Sequence, residues 1–260
     1  MNMKTKFDKI YVISLITNKE RQEFIKYQFD ELQLDVEFIY GIDFYNIKYN
    51  AQNEEIKYPY VFKDRLYNYG PESKNFGCAL THYQAVLQAY ELDYNNILIL
   101  EDDVCFIKNK NLIEYYLNNI PDDADFITFD PRFGSLDEQT LFINHYLKNN
   151  MQNNWFKINN NVKMIGGMMY GLMNRKTMKL YLDNQRQSFN MSDHVNNIFD
   201  NPIINRYVST KCICTDFFNI TCDFNINSIC YTNIYSKLNK LSKDNFYNAP
   251  SNCSFFTRLN

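Results

Sequence analysis

The chain has 260 residues, 45% of them hydrophobic and 22% charged, with a formal net charge of -3 and a pI near 5.7. That length is ample for a sizeable core in one domain, and the balance of apolar and charged residues excludes a disordered chain. A slightly acidic chain with no basic block is not a nucleic-acid protein, and no charge run suits a membrane surface.

The 21 Phe, the 21 Tyr and the abundant Asn come from AT-rich codons, so they report genome composition before chemistry. Such a bias fits a bacterium or a large DNA virus. Within the first twenty residues a short apolar run follows Asp8 and Lys9, too short for a spanning helix and without a cleavage pattern. Seven Cys, an odd number with irregular spacing, then favour free thiols in a reducing compartment, and a soluble cytoplasmic protein is expected. Cys212, Cys214, Cys222 and Cys230 lack the CxxC pair of structural zinc sites and read as buried thiols.

Ile10 to Leu15 reads as a first buried strand. Lys19 to Leu32 places Phe24, Ile25, Phe29 and Leu32 at helical spacing, and Val36 to Tyr40 follows as a second strand, closing a βαβ unit. Asp43 to Ser73 has no steady period and reads as a loop-rich insertion. Cys78 to Leu92 is strongly helical, with Asn75 or Gly77 at its start, and feeds the strand Ile97 to Leu100. Leu112 to Leu117 suits a helix and Phe126 to Phe129 another buried strand. Ile165 to Met173 reads as a Gly-rich turn plus strand, Arg175 to Leu182 as a helix, and Ser192-Asp193-His194-Val195 as the start of a short one. Beyond Tyr207 short strands alternate with Asn-rich turns. The alternation of strands and helices predicts an α/β fold with a Rossmann-like, mostly parallel central sheet flanked by helices.

The strand Ile97 to Leu100 ends in Glu101, Asp102 and Asp103. Ligands of open α/β sheets bind beyond the carboxyl ends of strands, which is where these carboxylates fall. Three adjacent carboxylates repel one another unless a cation or a basic partner offsets them, and a hard divalent metal is the natural candidate. The alternative is a solvated turn in which Asp102 or Asp103 caps the following segment.

Four clusters stand out: Ser14 to Arg21, Asn75 to His82, Glu101 to Asp103, and Ser192 to His194. Together they resemble glycosyltransferase family 25, the lipopolysaccharide-type sugar transferases and collagen hydroxylysine galactosyltransferases. Gly77-Cys78-Ala79-Leu80-Thr81-His82 resembles the family's G-C-x-x-S-H block, with Thr in place of Ser. The strand ending Glu101-Asp102-Asp103 resembles its E-D-D strand, Gly166 to Tyr170 its later Gly-rich strand, and Asp193-His194 its D-H pair. Ser14-Leu15 stands where the family usually has Asn-Leu, and its basic run is thinned to Lys19 and Arg21.

The resemblance implies a GT-A type fold in a single domain of residues 1–260, with a nucleotide-binding part over about 8–130 and an acceptor part over about 131–260. It implies an inverting transfer of a hexose, galactose as the first guess, from a UDP-sugar to a glycan, glycolipid or protein hydroxyl, with Mn2+ or Mg2+ at the leaving diphosphate. Asp103, Glu101 and His194 are then the metal candidates, with Glu101 acting through water or on the ribose. Asp193 is the candidate base, and Ser14, Leu15, Arg21, Asp43, Thr81, His82 and Asp102 are candidates for the donor pocket. Neighbouring side chains of an extended segment alternate, so Asp102 is expected to point away from its neighbours. Competing roles stay open: Asp193 as a helix cap, His194 as a packed histidine, His82 as a core residue, Asp43 as a turn residue. No integral membrane segment is expected, and a homodimer is allowed. Two other functions fit less well: a degenerate transferase fold that binds sugar or protein, and a two-metal phosphoesterase, for which three histidines are few.

Overall fold

The computed structural model of the chain describes residues 6–41, 74–129, 154–158, 170–187, 201–211, 213–216 and 243–247. Strand β1 (Lys9–Leu15) leads into helix α1 (Lys19–Leu32) and strand β2 (Glu37–Gly41). Helix α2 (Lys74–Glu91) precedes β3 (Asn96–Glu101) and the short β4 (Val104–Phe106). Helix α3 (Lys110–Asn118) and strands β5 (Phe126–Thr128), β6 (Trp155–Lys157) and β7 (Tyr170–Asn174) follow. Helix α4 (Arg175–Gln187) and strands β8 (Arg206–Ser209) and β9 (Cys214–Asp216) complete the main elements.

Seven strands form one sheet in the order β2-β1-β3-β7-β5-β8-β6, while β4 and β9 pair separately. Strand β1 lies parallel to both β2 and β3, as the βαβ reading requires. The far half is mixed: β7 runs antiparallel to β3 and to β5, β8 is parallel to β5, and β6 is antiparallel to β8. The expected α/β sheet flanked by helices is therefore present, and its mostly parallel character belongs to the β2-β1-β3 half. Because β7 opens at Tyr170 opposite Leu100 and closes at Asn174 opposite Asn96, its first residue lies at the acidic end of β3.

Strand alternation divides the core in two. Ile10 and Val12 of β1 and Leu98 and Leu100 of β3 pack with Phe24, Ile25 and Phe29 of α1 and with Ile113, Tyr116 and Leu117 of α3. Tyr11, Ile13, Ile97 and Ile99 turn to the other side, against Leu80, Val86 and Ala89 of α2 and Met178 and Tyr181 of α4. Both faces of β1 and β3 are covered, which explains their unbroken apolar sequences. Burial pushes the Tyr11 phenol up to about 12, as it does Tyr116 on the opposite side.

Helix ends follow local chemistry. Gln33 closes α1 in the left-handed region at φ 57°, its N–H bonded to the Asp30 and Phe29 carbonyls. Asn109 caps α3 by accepting the Leu112 N–H at 3.0 Å. Helix α2 starts at Lys74, earlier than the expected start at Asn75 or Gly77, and α4 runs five residues beyond Leu182 to Gln187. The insertion of residues 43–73 lies outside the described residues, as do Cys212, Cys222 and Cys230.

Candidate functional site

The carboxyl ends of β1 and β3 lie side by side, with Ile13 opposite Glu101 and Ser14 opposite Tyr40. The ladder continues one residue past β3, since the Asp102 N–H donates to the Ile13 carbonyl at 3.0 Å. Alternation then parts the acidic residues. Asp102 turns to the α1 face and Glu101 to the α2 face.

On the α1 face the carboxylate of Asp102 is held on both oxygens. Oδ1 pairs with Arg21 Nη1 at 2.8 Å, and Oδ2 accepts from Ser14 Oγ at 2.7 Å and Asn18 Nδ2 at 3.0 Å. Both members of the ion pair are largely buried, their side chains 18% and 9% exposed, so the guanidinium meets the charge out of bulk water. Asn18 occupies the N-cap position of α1 and makes no side-chain cap bond; its Nδ2 donates to Asp102 instead. Gln22, one helical turn on, donates to Ser14 Oγ at 3.3 Å and to the Leu15 carbonyl at 2.8 Å. The first turn of α1 is thereby fastened to the end of β1 and to the acidic turn.

The same helix grips the chain beyond that turn. Gln28 is fully buried, and its amide donates to the Val104 carbonyl at 3.0 Å while accepting the Phe106 N–H at 2.8 Å. Asp103, buried in the turn between β3 and β4, is thus carried on a segment fixed on both sides.

On the α2 face Glu101 Oε1 lies 2.9 Å from His82 Nε2 and accepts from Cys78 Sγ at 3.3 Å. Cys78 and His82 are four residues apart on α2 and present to one side of it. The ligand atoms of these three residues all lie within 4.8 Å of one another, close enough to hold a metal ion. His82 is wholly buried, and its Nδ1 has no hydrogen-bond partner among the described residues. Thr81 is also buried, and its hydroxyl donates back to the Gly77 carbonyl at 2.7 Å. A Cβ at Gly41 would meet Thr81 Oγ1 at 3.1 Å and Leu15 Cδ2 at 3.6 Å, so the end of β2 packs closely on this helix.

Several sequence-derived candidates therefore gather at one sheet edge: Ser14, Leu15, Arg21 and Asp102 on one side, His82 and Glu101 on the other. The earlier start of α2 puts Thr81 and His82 in its third turn, beyond the unpaired N–H groups of the helix terminus. A phosphate cradle of backbone N–H groups does not reach them. Asp43, Asp193 and His194 lie outside the described residues, as do Gly166, Gly167, Met168 and Met169.

Sequence reasoning missed Asn18, Gln22, Gln28 and the polar role of Cys78. The first three follow a faint signal, a helix whose inward positions 18, 22 and 28 carry amides where apolar residues would serve packing alone. Cys78 gave the signal of a helical i, i+4 pair with His82.

The family profile described as glycosyltransferase family 25 (LPS biosynthesis protein) matches residues 7–195. A glycosyltransferase 25 family member of Drosophila pseudoobscura pseudoobscura is 28% identical over 104 residues, which is 40% of this chain and 17% of that protein. One of Aedes aegypti is 30% identical over 98 residues, 37% of this chain and 16% of that protein. This chain thus spans only a minor part of the length of the curated relatives it matches. The crystal structure of A197 from STIV aligns with 76% of this chain and 79% of its own at 11% identity and a TM-score of 0.37. Among the described residues no helix is long and apolar enough to cross a membrane.

Proposed function

Because the chain belongs to glycosyltransferase family 25, we propose that it moves a hexose, with galactose the first candidate, from a UDP-sugar to a hydroxyl of a glycan, glycolipid or protein. The observation that supports this reading is the shared edge of β1 and β3. It holds Ser14, Leu15 and Arg21 against the acidic turn, at the carboxyl ends of parallel strands where nucleotide ligands of α/β sheets bind. Residues 8–130 serve as the nucleotide-binding part and 131–260 as the acceptor part of one transferase domain acting in the cytoplasm.

Family membership implies a hard divalent cation, Mn2+ or Mg2+, and the donor set of this edge can be weighed against it. Asp102 is committed to Arg21, Ser14 and Asn18, so its part is to hold the donor pocket in shape. Asp103 would supply the direct oxygen ligand and His194 would complete the shell, with Glu101 reaching the ion through a water or meeting the donor ribose. Such a cation, when bound, offsets the charge that builds on the leaving diphosphate.

The remaining work falls to the chain's own groups. Ser14 and Leu15 line the end of β1 beneath the donor, and Arg21 brings a cation to the same rim. Thr81 and His82 shape the pocket from the α2 side, and Asp43 meets the ribose or the base. In a single displacement with inversion, the acceptor oxygen bonds to the anomeric carbon as the bond to the diphosphate breaks. Asp193 takes the acceptor's hydroxyl proton as that happens. Calorimetric titration with UDP tests the donor side: binding that strengthens on addition of Mn2+ is expected. Failure of UDP to bind with or without Mn2+ would overturn the reading.

A further inference from the structure

Cys78, His82 and Glu101 offer one thiol, one imidazole and one carboxylate to a common point. His82 is 0% exposed, and among the described residues its Nδ1 has no hydrogen-bond partner while its Nε2 is aimed at Glu101 Oε1. A buried imidazole with one nitrogen unsatisfied carries a desolvation cost that a strong bond at the other nitrogen offsets. Cys78 is half-buried and the Glu101 side chain is 17% exposed, so the cluster is reachable from outside.

We propose that Cys78 Sγ, His82 Nε2 and Glu101 Oε1 form a zinc site that ties the third turn of α2 to the acidic end of β3. Sulfur and imidazole nitrogen select zinc over magnesium, calcium or manganese, which favour oxygen donors throughout. Three protein ligands leave the fourth tetrahedral position to water or an incoming ligand.

With metal–ligand bonds of about 2.0 Å to nitrogen and oxygen and about 2.3 Å to sulfur, tetrahedral edges fall near roughly 3.3–3.5 Å. The N···O separation of 2.9 Å and the S···O separation of 3.3 Å would open by a few tenths of an ångström. Loading sends the thiol proton to solvent and moves the imidazole proton from Nε2, where it faces Glu101, to Nδ1, so that Nε2 donates its lone pair. Thiolate and carboxylate together neutralise the divalent charge. This soft set shares Glu101 with the hard-cation site assigned to Asp103 but draws its other two ligands from α2, and it stands whether or not the chain transfers sugar.

Cobalt(II) loading of the chelator-stripped full chain tests the site, because a thiolate ligand gives a sulfur-to-cobalt charge-transfer band and a tetrahedral set gives intense visible bands. One equivalent of cobalt with both features is expected, displaced by zinc. Cys78→Ser and, as a second replacement, Cys78→Ala should abolish the charge-transfer band. His82→Gln should weaken zinc binding by roughly tenfold or more. Asp103→Asn should leave both readings unchanged. Far-UV circular dichroism on each variant verifies that it is folded. Absence of the band in the wild-type chain, or its survival in a folded Cys78 variant, would overturn the proposal.

Discussion

Glu101 and Asp102 are adjacent in sequence and end one strand, yet they belong to different chemistries. Asp102 meets a guanidinium, a hydroxyl and an amide on the α1 face, and its charge is answered within the chain. Glu101 meets an imidazole and a thiol on the α2 face, both of them groups that can exchange a proton for a metal. The difference teaches that an acidic run at a strand end need not act as a unit, because the pleat sends alternate members to opposite layers. One carboxylate builds the edge, and its neighbour equips it.

The largest effect expected from breaking this contrast is on Asp102. Asp102→Ala removes the carboxylate that faces Arg21 in a largely buried position and should cost about 3 kcal/mol of stability, read as a fall in the urea midpoint at constant slope. Gln28→Leu comes next, at about 2 kcal/mol, since it strands the Val104 carbonyl and the Phe106 N–H in the core. Glu101→Gln should cost less than about 1 kcal/mol, because an amide still accepts from His82 and Cys78. Equal losses for Asp102→Ala and Glu101→Gln would erase the distinction between scaffold and site.

The smallest effect concerns Asp125, at the opposite end of the sheet. Burial alone would raise its carboxyl, but the Asn205 backbone N–H, Lys176 and Asn174 outweigh burial and hold it below the ordinary value of 3.8. Its folded pKa is depressed, so the stability it contributes is complete above that ordinary value and is lost as pH falls through the lower folded one. Asp125→Asn should flatten the acid limb of a pH series of urea midpoints and leave the shape near neutrality unchanged.

Much of the β2-β1-β3 half was legible in the sequence, because strands buried on both faces and an amphipathic α1 leave strong periodic signals. The antiparallel β7 was not. A short strand after a Gly-rich run carries no mark of its direction, which pairing with β3 and β5 decides. The acidic end of β3 was legible, as was the opposite facing of Asp102. What pairs with it was not, since Asn18, Arg21 and Gln22 meet Asp102 or Ser14 only after α1 has folded back along β1. For Cys78, small size and an apolar neighbourhood masked a polar contact that only the approach of β3 creates.

Under the proposed function, the acidic end of β3 serves a nucleotide-sugar donor through Asp103 while Asp102 holds the edge. UDP release from UDP-galactose, followed with Mn2+ and after chelation for the wild-type chain and for Asp103→Ala, tests it most directly. Release that requires Mn2+ in the wild type and is lost in Asp103→Ala is expected. Release indifferent to metal in both, or absent from both, would contradict it.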